Sequence, residues 1–257
     1  MNKSGSNGLE KNHLGQTRSS QHRNHLLLTP DTFVRTPLPG MKACTAVVHA
    51  SPALGAAFTQ YTAEFEVNGE LGPTSGQRLL YVLDGEVLIE SPGTSGASSA
   101  RGYAYFPQDA PHRVTATKAS SVAVIEKKYQ ALDSAVPPRP ILSSEDVISS
   151  YALNDDPDLR VKCLLPDEFS YDFAVNTMLY QPGAALSQVE MHIMEHGLLM
   201  LEGGGIYRLG DAWYPVAAGD FIWMGPWCPQ WFGAIGKVPA KYLIYKDWNR
   251  HPMEPAR

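Results

Sequence analysis

Four polar side chains form a chemically suggestive set: Glu190, His192, His196 and Gln230. The first three lie in the run QVEMHIMEHG, and Gln230 follows 34 residues after His196. Two imidazoles, a carboxylate and an amide oxygen make a mixed nitrogen and oxygen donor set. Such a set suits Mn(II), Fe(II), Ni(II) or Zn(II) better than a soft, thiophilic ion. With a single anionic ligand, a divalent ion keeps net positive charge and could bind an anionic substrate directly. Glu190 and His192 are two apart, so on a strand they point to one face. His196 has the same parity, but a straight strand would carry it about 20 Å from Glu190 at about 3.3 Å per residue. Ligands to one ion each lie about 2.0–2.2 Å from it, so the chain must turn between His192 and His196. Gln230 follows the strand-like Phe221–Met224 and the turn Gly225-Pro226, and could close the set from a neighbouring strand. A plain hydrogen-bonding role fits one isolated His better than two His and a Glu within seven residues.

The same run holds a competing motif. His192-Ile193-Met194-Glu195-His196 matches H-x-x-E-H, the zinc motif of inverted metallopeptidases. That chemistry needs a helix, with both histidines on one face and Glu195 as general base. Gly197 interrupts such a helix, Gly203-Gly204-Gly205 follows, and Pro182-Gly183 precedes it. The triple glycine lacks the Lys-Ser/Thr of a phosphate loop and reads as a hairpin turn. Cys228 reads as a buried thiol, with no free His partner evident. Trp213, Trp223, Trp227 and Trp231 read as core or interface aromatics, with Trp231 beside Gln230 a candidate pocket wall.

Strands must position these groups. Charged residues are only 18% of the 257, against about 25% in typical domains. With 22 Gly, 20 Pro, 12 Tyr and 5 Trp, the composition favours β-structure over a helical bundle. A net charge of −5 argues against nucleic acid or an anionic membrane surface as the main partner. No apolar run reaches the roughly 18 residues of a membrane span, and no signal-peptide stretch opens the chain. Cys44, Cys163 and Cys228 form neither a disulfide framework nor a C-x-x-C pair. The expectation is a cytoplasmic protein.

Short alternating or apolar runs recur in two blocks. Gly55–Phe65, Leu79–Ile89, Tyr103–Phe106 and Ser121–Lys127 read as strands in the first. Ala174–Tyr180, Gly197–Leu201, Ile206–Leu209, Phe221–Met224 and Lys241–Lys246 read as strands in the second. At an offset of 118 residues, Leu83-Asp84-Gly85 falls on Leu201-Glu202-Gly203 and Tyr103–Phe106 on Phe221–Met224. This is the register of a duplicated all-β unit, a barrel or sandwich in each half. The expected division is a flexible tail over 1–24, a first unit over 25–133, a Pro-rich linker over 134–159 and a second unit over 160–257. One short helix is expected near Ser144–Ser150. At the same offset, the counterparts of Glu190, His192, His196 and Gln230 are Gly72, Thr74, Arg78 and His112. Three of these four cannot ligate, so the metal set belongs to the second half alone.

The pattern resembles the cupin fold: Gly183, paired ligands, a third ligand, Gly203, Gly219-x(5)-Gly225 and then a fourth ligand at Gln230. The usual cupin has His at Glu190, Glu at His196 and His at Gln230. Those departures, with the blocks EMHIMEHG, LEGGGIYRLGDAWYPVAAGDFIWM, PQW and YLIYKDWNR, resemble the (S)-ureidoglycine aminohydrolases of allantoin degradation. HLLLTPDTFV and LYVLDGEV agree, so the resemblance covers about residues 25–250. It implies a bicupin of two tandem double-stranded β-helix (jelly-roll) barrels and a Mn(II)-dependent hydrolase. The implied reaction converts (S)-2-ureidoglycine and water to (S)-ureidoglycolate and ammonia. It implies Glu190, His192, His196 and Gln230 as manganese ligands, and Tyr242 and Lys246 as substrate contacts. By strand parity alone, Tyr242, Ile244 and Lys246 share a face. Glu190 and Lys246 are the catalytic candidates; Glu190, Gln230, Tyr242 and Lys246 would contact substrate. Glu190 is the best candidate for managing a proton, and Lys246 would meet the carboxylate or the ureido oxygen. Tyr207 falls near the site by parity only. The small-molecule substrate is the expected partner, within a homo-oligomer.

Two other classes remain open on the residues. Another cupin isomerase or dioxygenase could use the same ligands, and oxygen consumption would mark the latter. A non-catalytic bicupin that binds a small acid would release no ammonia.

Overall fold

A computed structural model of the chain describes residues 16–250. Among them, strands and three single 3-10 turns account for the regular structure, with no α-helix. Two large antiparallel sheets and a three-stranded sheet organise the molecule. Ten strands, from Arg35–Thr36 to Ile141–Ser144, make the first-half sheet. The second half has eight strands in one sheet, completed by Gly204–Leu209, Ala212–Ala217 and Gln230–Ala234 in the smaller one.

The 118-residue register holds through the middle strands and slips to 120 at the last one. Glu86–Ser91 and Thr94–Ser99 shift onto Gly204–Leu209 and Ala212–Ala217, and each couple forms an antiparallel hairpin. Gln77–Asp84 pairs with Ser120–Lys127 as His196–Glu202 pairs with Ala240–Asp247.

The inner strands are apolar on both faces because both faces are covered. Along Ser120–Lys127, Val122 and Val124 enter the first-half core, while Ala123 and Ile125 enter a core shared between the halves. Along Ala240–Asp247, Tyr242 and Ile244 enter the second-half core, and Leu243 and Tyr245 the shared one. Strand periodicity thus aims Tyr242, Ile244 and, by parity, Lys246 into the second barrel. His196 shares that parity with Leu198 and Met200.

Two strands cross between the halves. His25–Leu28 pairs with Phe221–Met224 of the second-half sheet, and Ile141–Ser144 pairs with Gly102–Phe106 of the first. The apolar HLLL strand finds its partner across the molecule rather than in the block that it precedes in sequence. Residues 134–159, expected as linker, also contribute Tyr151–Leu153, which joins the second-half sheet. The helix expected near Ser144–Ser150 is a single 3-10 turn, Glu145–Val147, capped by the Ser144 side chain. Part of the expected tail is anchored: Ser20–Gln21 pairs with Leu26 and Leu27, and Arg18 makes two bonds of 2.5 and 2.8 Å to the buried Asp220. Residues 1–15 of that tail lie outside the described residues. No helix among the described residues is long and apolar enough to cross a membrane.

Candidate metal centre and substrate cavity

The strand carrying His196 begins at His196 itself, after a strand-free segment through Met191–Glu195. The chain therefore turns between His192 and His196, as one centre requires. Glu190 and His192 do not share a regular strand. Glu190 forms a single antiparallel bridge with Gln230, with backbone bonds of 2.8 and 2.9 Å. His192 is held instead by the Trp227 amide donating to its carbonyl at 2.8 Å. Trp227 sits at φ 64° in the Gly225–Gln230 turn, so that turn clamps both ligand-bearing segments.

Three of the four polar groups draw together. His192 Nε2 lies 3.3 Å from His196 Nε2 and 2.9 Å from Gln230 Nε2. His196 Nδ1 lies 3.1 Å from the Tyr245 carbonyl. A carbonyl only accepts, so Nδ1 carries the proton and Nε2 presents its lone pair to the cavity. Burial, with the nearby His192 and Lys246, pushes the His196 imidazole down to about 3, so it stays neutral, the form that ligates. Two nitrogens 3.3 Å apart match neighbouring ligands each about 2.1 Å from one ion. Glu190 lines the same cavity. Among the described residues, no three His, Cys, Asp or Glu side chains close on one point. The candidate set holds three such side chains, so Glu190 lines the cavity without closing on the two imidazoles, and the convergent groups are His192, His196 and Gln230. The donor chemistry of the set suits a borderline-hard divalent cation.

Glu190, His192, His196, Gln230, Tyr242 and Lys246 all line one cavity of about 240 Å³. Tyr207, favoured by parity alone, is there too. Lys246 lies opposite His196 across the strand pair. With the Asn176 amide turned so that its nitrogen donates to the Val175 carbonyl, its oxygen accepts from Lys246 Nζ at 3.0 Å. Lys246 Nζ also sits 5.5 Å from the Trp248 ring centre. Burial lowers the Lys246 pKa, while Cys163, Glu190 and Asp167 pull it back up. Tyr242 bonds hydroxyl to hydroxyl with Tyr180 at 2.7 Å, and burial raises both phenols well above their ordinary value. They are neutral hydrogen-bonding groups, not bases.

Several contributors escape a reading of the sequence. Asn176 and Tyr180 look like strand interior, and Trp248 like a terminal aromatic. Tyr151 and Leu153 fall in the expected linker yet line the cavity. Their one signal is the apolar Tyr-Ala-Leu ahead of the turn pair Asn154-Asp155.

The competing motif is resolved by geometry. Glu195 points away from the cavity, accepting from the Trp223 indole at 3.1 Å and the Ala57 amide at 2.8 Å. Its burial raises the carboxyl to about 7. Trp231 does not wall the pocket; its indole donates to the Leu186 carbonyl at 2.7 Å. In the triple glycine, only Gly203 turns, at φ 65°. Gly204 and Gly205 lie within a strand, where a Cβ would come 2.4 and 2.1 Å from the Val216 and Gly233 carbonyl oxygens. Cys228 is buried, and its thiol is pushed up from its ordinary value.

The corresponding place in the first half holds a guanidinium. Arg78, 2% exposed, bonds to His112 Nε2 at 2.8 Å, the Gly72 carbonyl at 2.9 Å and Glu126 at 2.6 Å. These are three of the four counterpart positions, filled by a covalently attached cation.

Two β-units, with Glu190, His192, His196 and Gln230 lining one cavity in the second, define a bicupin. The cupin-domain family model matches residues 176–245, the segment that carries the set. A probable (S)-ureidoglycine aminohydrolase of Oryza sativa subsp. japonica is 40% identical over 93% of this chain and 78% of its own length. The (S)-ureidoglycine aminohydrolase of Arabidopsis thaliana is 38% identical over 93% of the chain and 80% of its own length. The crystal structure of protein Ylba from E. coli superposes with a TM-score of 0.82 at 28% identity, covering 94% of this chain and 98% of that one. The chain belongs to the (S)-ureidoglycine aminohydrolase family.

Proposed function

We propose that the protein hydrolyses (S)-2-ureidoglycine to (S)-ureidoglycolate and ammonia in purine (allantoin) catabolism. The observation that supports this most is the convergence of all six site residues on one cavity, in a chain of this family. Glu190, His192, His196 and Gln230 would hold a divalent ion, Mn(II) by family resemblance. Such an ion supplies Lewis-acid polarisation and a fixed template for a small chelating acid.

The protein's own groups do the rest. The Lys246 ammonium, held by Asn176, meets the substrate carboxylate or ureido oxygen. The Tyr242 hydroxyl, oriented by Tyr180, offers a neutral hydrogen bond to the same molecule. Holding the substrate by several groups at once fixes the face of Cα that water meets, so stereochemistry follows from position. The protonated amine leaves Cα as ammonia with lone-pair push from the ureido nitrogen, water adds at Cα, and Glu190 would take the proton that the water loses. Residues 25–133 and 160–257 are taken as the two barrels, the first without a metal set. Assembly as a homo-oligomer in the cytoplasm belongs to the same reading.

The test couples two reactions. Ureidoglycine is generated from allantoate in situ, the Mn(II)-loaded protein is added without oxygen, and ammonia and product chirality are measured. Release of ammonia with a single product enantiomer is expected. Wild-type protein that releases none refutes the reading. His192→Ala is expected to lose bound manganese and turnover together; a variant that stays fully active removes His192 from the site.

A further inference from the structure

The cavity has a wall that belongs to neither sequence block. Tyr151–Leu153 and Asp156–Cys163 form a hairpin at the edge of the second-half sheet. Its two-residue loop, Asn154-Asp155, has φ of 52° and 63°, the tight turn whose twist suits a hairpin. Arg160 bonds to the Ser150 carbonyl at 2.9 Å, and Lys162 to the Glu145 carbonyl at 2.7 Å. Arg160 thus ties the second strand to the residue just before the first, Lys162 ties it to the Glu145 turn, and the same strand pairs with Phe173–Tyr180, so the hairpin is built into the sheet.

Register fixes where this wall meets the site. Tyr151 lies opposite Val161, Val161 opposite Met178, and Met178 opposite Tyr242. Tyr151 is therefore in the Tyr242 row of the sheet. Lys246 is four residues further along, about 13 Å at about 3.3 Å per residue. A ligand whose carboxylate faces the Lys246 end directs its distal group toward Tyr151 and Leu153. Leu153 is half-buried against the second-half core, and Tyr151 is 47% exposed, with its hydroxyl 3.9 Å from Cys163 Sγ.

We propose that Tyr151 and Leu153 are specificity-determining residues: they set the length of the group that a bound ureido acid carries at its distal nitrogen. This rests on the cavity being the substrate site. One methylene too many or too few in an apolar pocket changes selectivity by about tenfold or more.

The test uses two stable ligands, N-carbamoylglycine and its N′-butyl derivative, with Mn(II)-loaded wild type, Tyr151→Ala, Leu153→Ala and Leu153→Phe. Calorimetry gives the ratio of their dissociation constants, and manganese content with near-UV circular dichroism reports folding. The wild type is expected to prefer the shorter ligand. Leu153→Ala should shift the ratio toward the butyl compound by about tenfold, Tyr151→Ala should shift it the same way, and Leu153→Phe should shift it oppositely. A ratio unchanged in the folded variants overturns the proposal, as does failure of the wild type to bind either ligand. If the ratio shifts while the wild type releases no ammonia from ureidoglycine, the wall stands and the assigned reaction falls.

Discussion

Replacing Arg78 by Met tests whether the first half depends on its built-in cation. Methionine keeps much of the stem volume and removes the guanidinium. Glu126 then loses its partner at 2.6 Å, and His112 Nε2 and the Gly72 carbonyl lose theirs. Removing one member of a buried ion pair costs about 3–5 kcal/mol. Glu126 is 22% exposed and keeps its bond from the Tyr61 hydroxyl at 2.8 Å, so solvent and Tyr61 offset part of the loss. The lower end, about 3 kcal/mol, is expected. In a chain of this size, that lowers the melting midpoint by about 6–10 °C. The assay can separate the halves: all five tryptophans lie between Trp213 and Trp248, so indole emission reports the second half, while circular dichroism reports both. A fall of less than about 2 °C by circular dichroism would show that the guanidinium is dispensable and that His112 and Glu126 are satisfied by water.

Two other perturbations probe the site and the shared core. Lys246→Met removes a charge-assisted bond worth about 1.5–3 kcal/mol, so kcat/KM should fall about ten- to a hundredfold while bound metal stays stoichiometric; metal loss would reassign Lys246 to the centre itself. His49, 3% exposed between Phe33 and Phe221, is pushed down to about 3 by burial, against about 6.5 when unfolded. The unfolded chain takes up the proton first, so stability is intact above pH 6.5 and is lost as pH falls toward 3. Relative to wild type, His49→Phe should gain about 2 kcal/mol between pH 7 and pH 5 in urea titrations. Parallel stability curves would mean that His49 takes up its proton as readily in the fold as in the unfolded chain.

Much of this architecture was legible because strand periodicity and a duplicated register are local properties. Glu86–Ser91 alternates, and its copy 118 residues on alternates at the same positions. Thr94–Ser99 was missed because TSGASS is largely exposed and carries no apolar stripe. Lys42–Ala50 was missed because its small residues, Ala43, Thr45 and Ala46, look like coil without the neighbour that covers them. The candidate set was legible from residue type alone, but its geometry was not. Glu190 is placed by a bridge to Gln230 and His192 by a clamp from the Gly225–Gln230 turn, and neither is a periodic signal.

The strand exchange explains why the two halves act as one body. Each repeat begins with a strand that pairs in the other half: His25–Leu28 beside Phe221–Met224, and Ile141–Ser144 beside Gly102–Phe106. The two recipients occupy the same place in the 118-residue register, so the exchange is reciprocal. Its consequence reaches the site. Phe221–Met224 flanks His196–Glu202, with Met224 opposite His196 on one side and His25 on the other. The Asn24 carbonyl accepts from the Gly225 amide at 2.9 Å, at the start of the turn that carries Gln230. The beginning of the first unit therefore braces the ligand-bearing turn of the second. The first half supplies that brace and the apolar face against which Leu199, Leu243 and Tyr245 pack. Separating the halves in the 134–159 segment would strip both, leaving the His196 strand with an unpaired neighbour and an uncovered face.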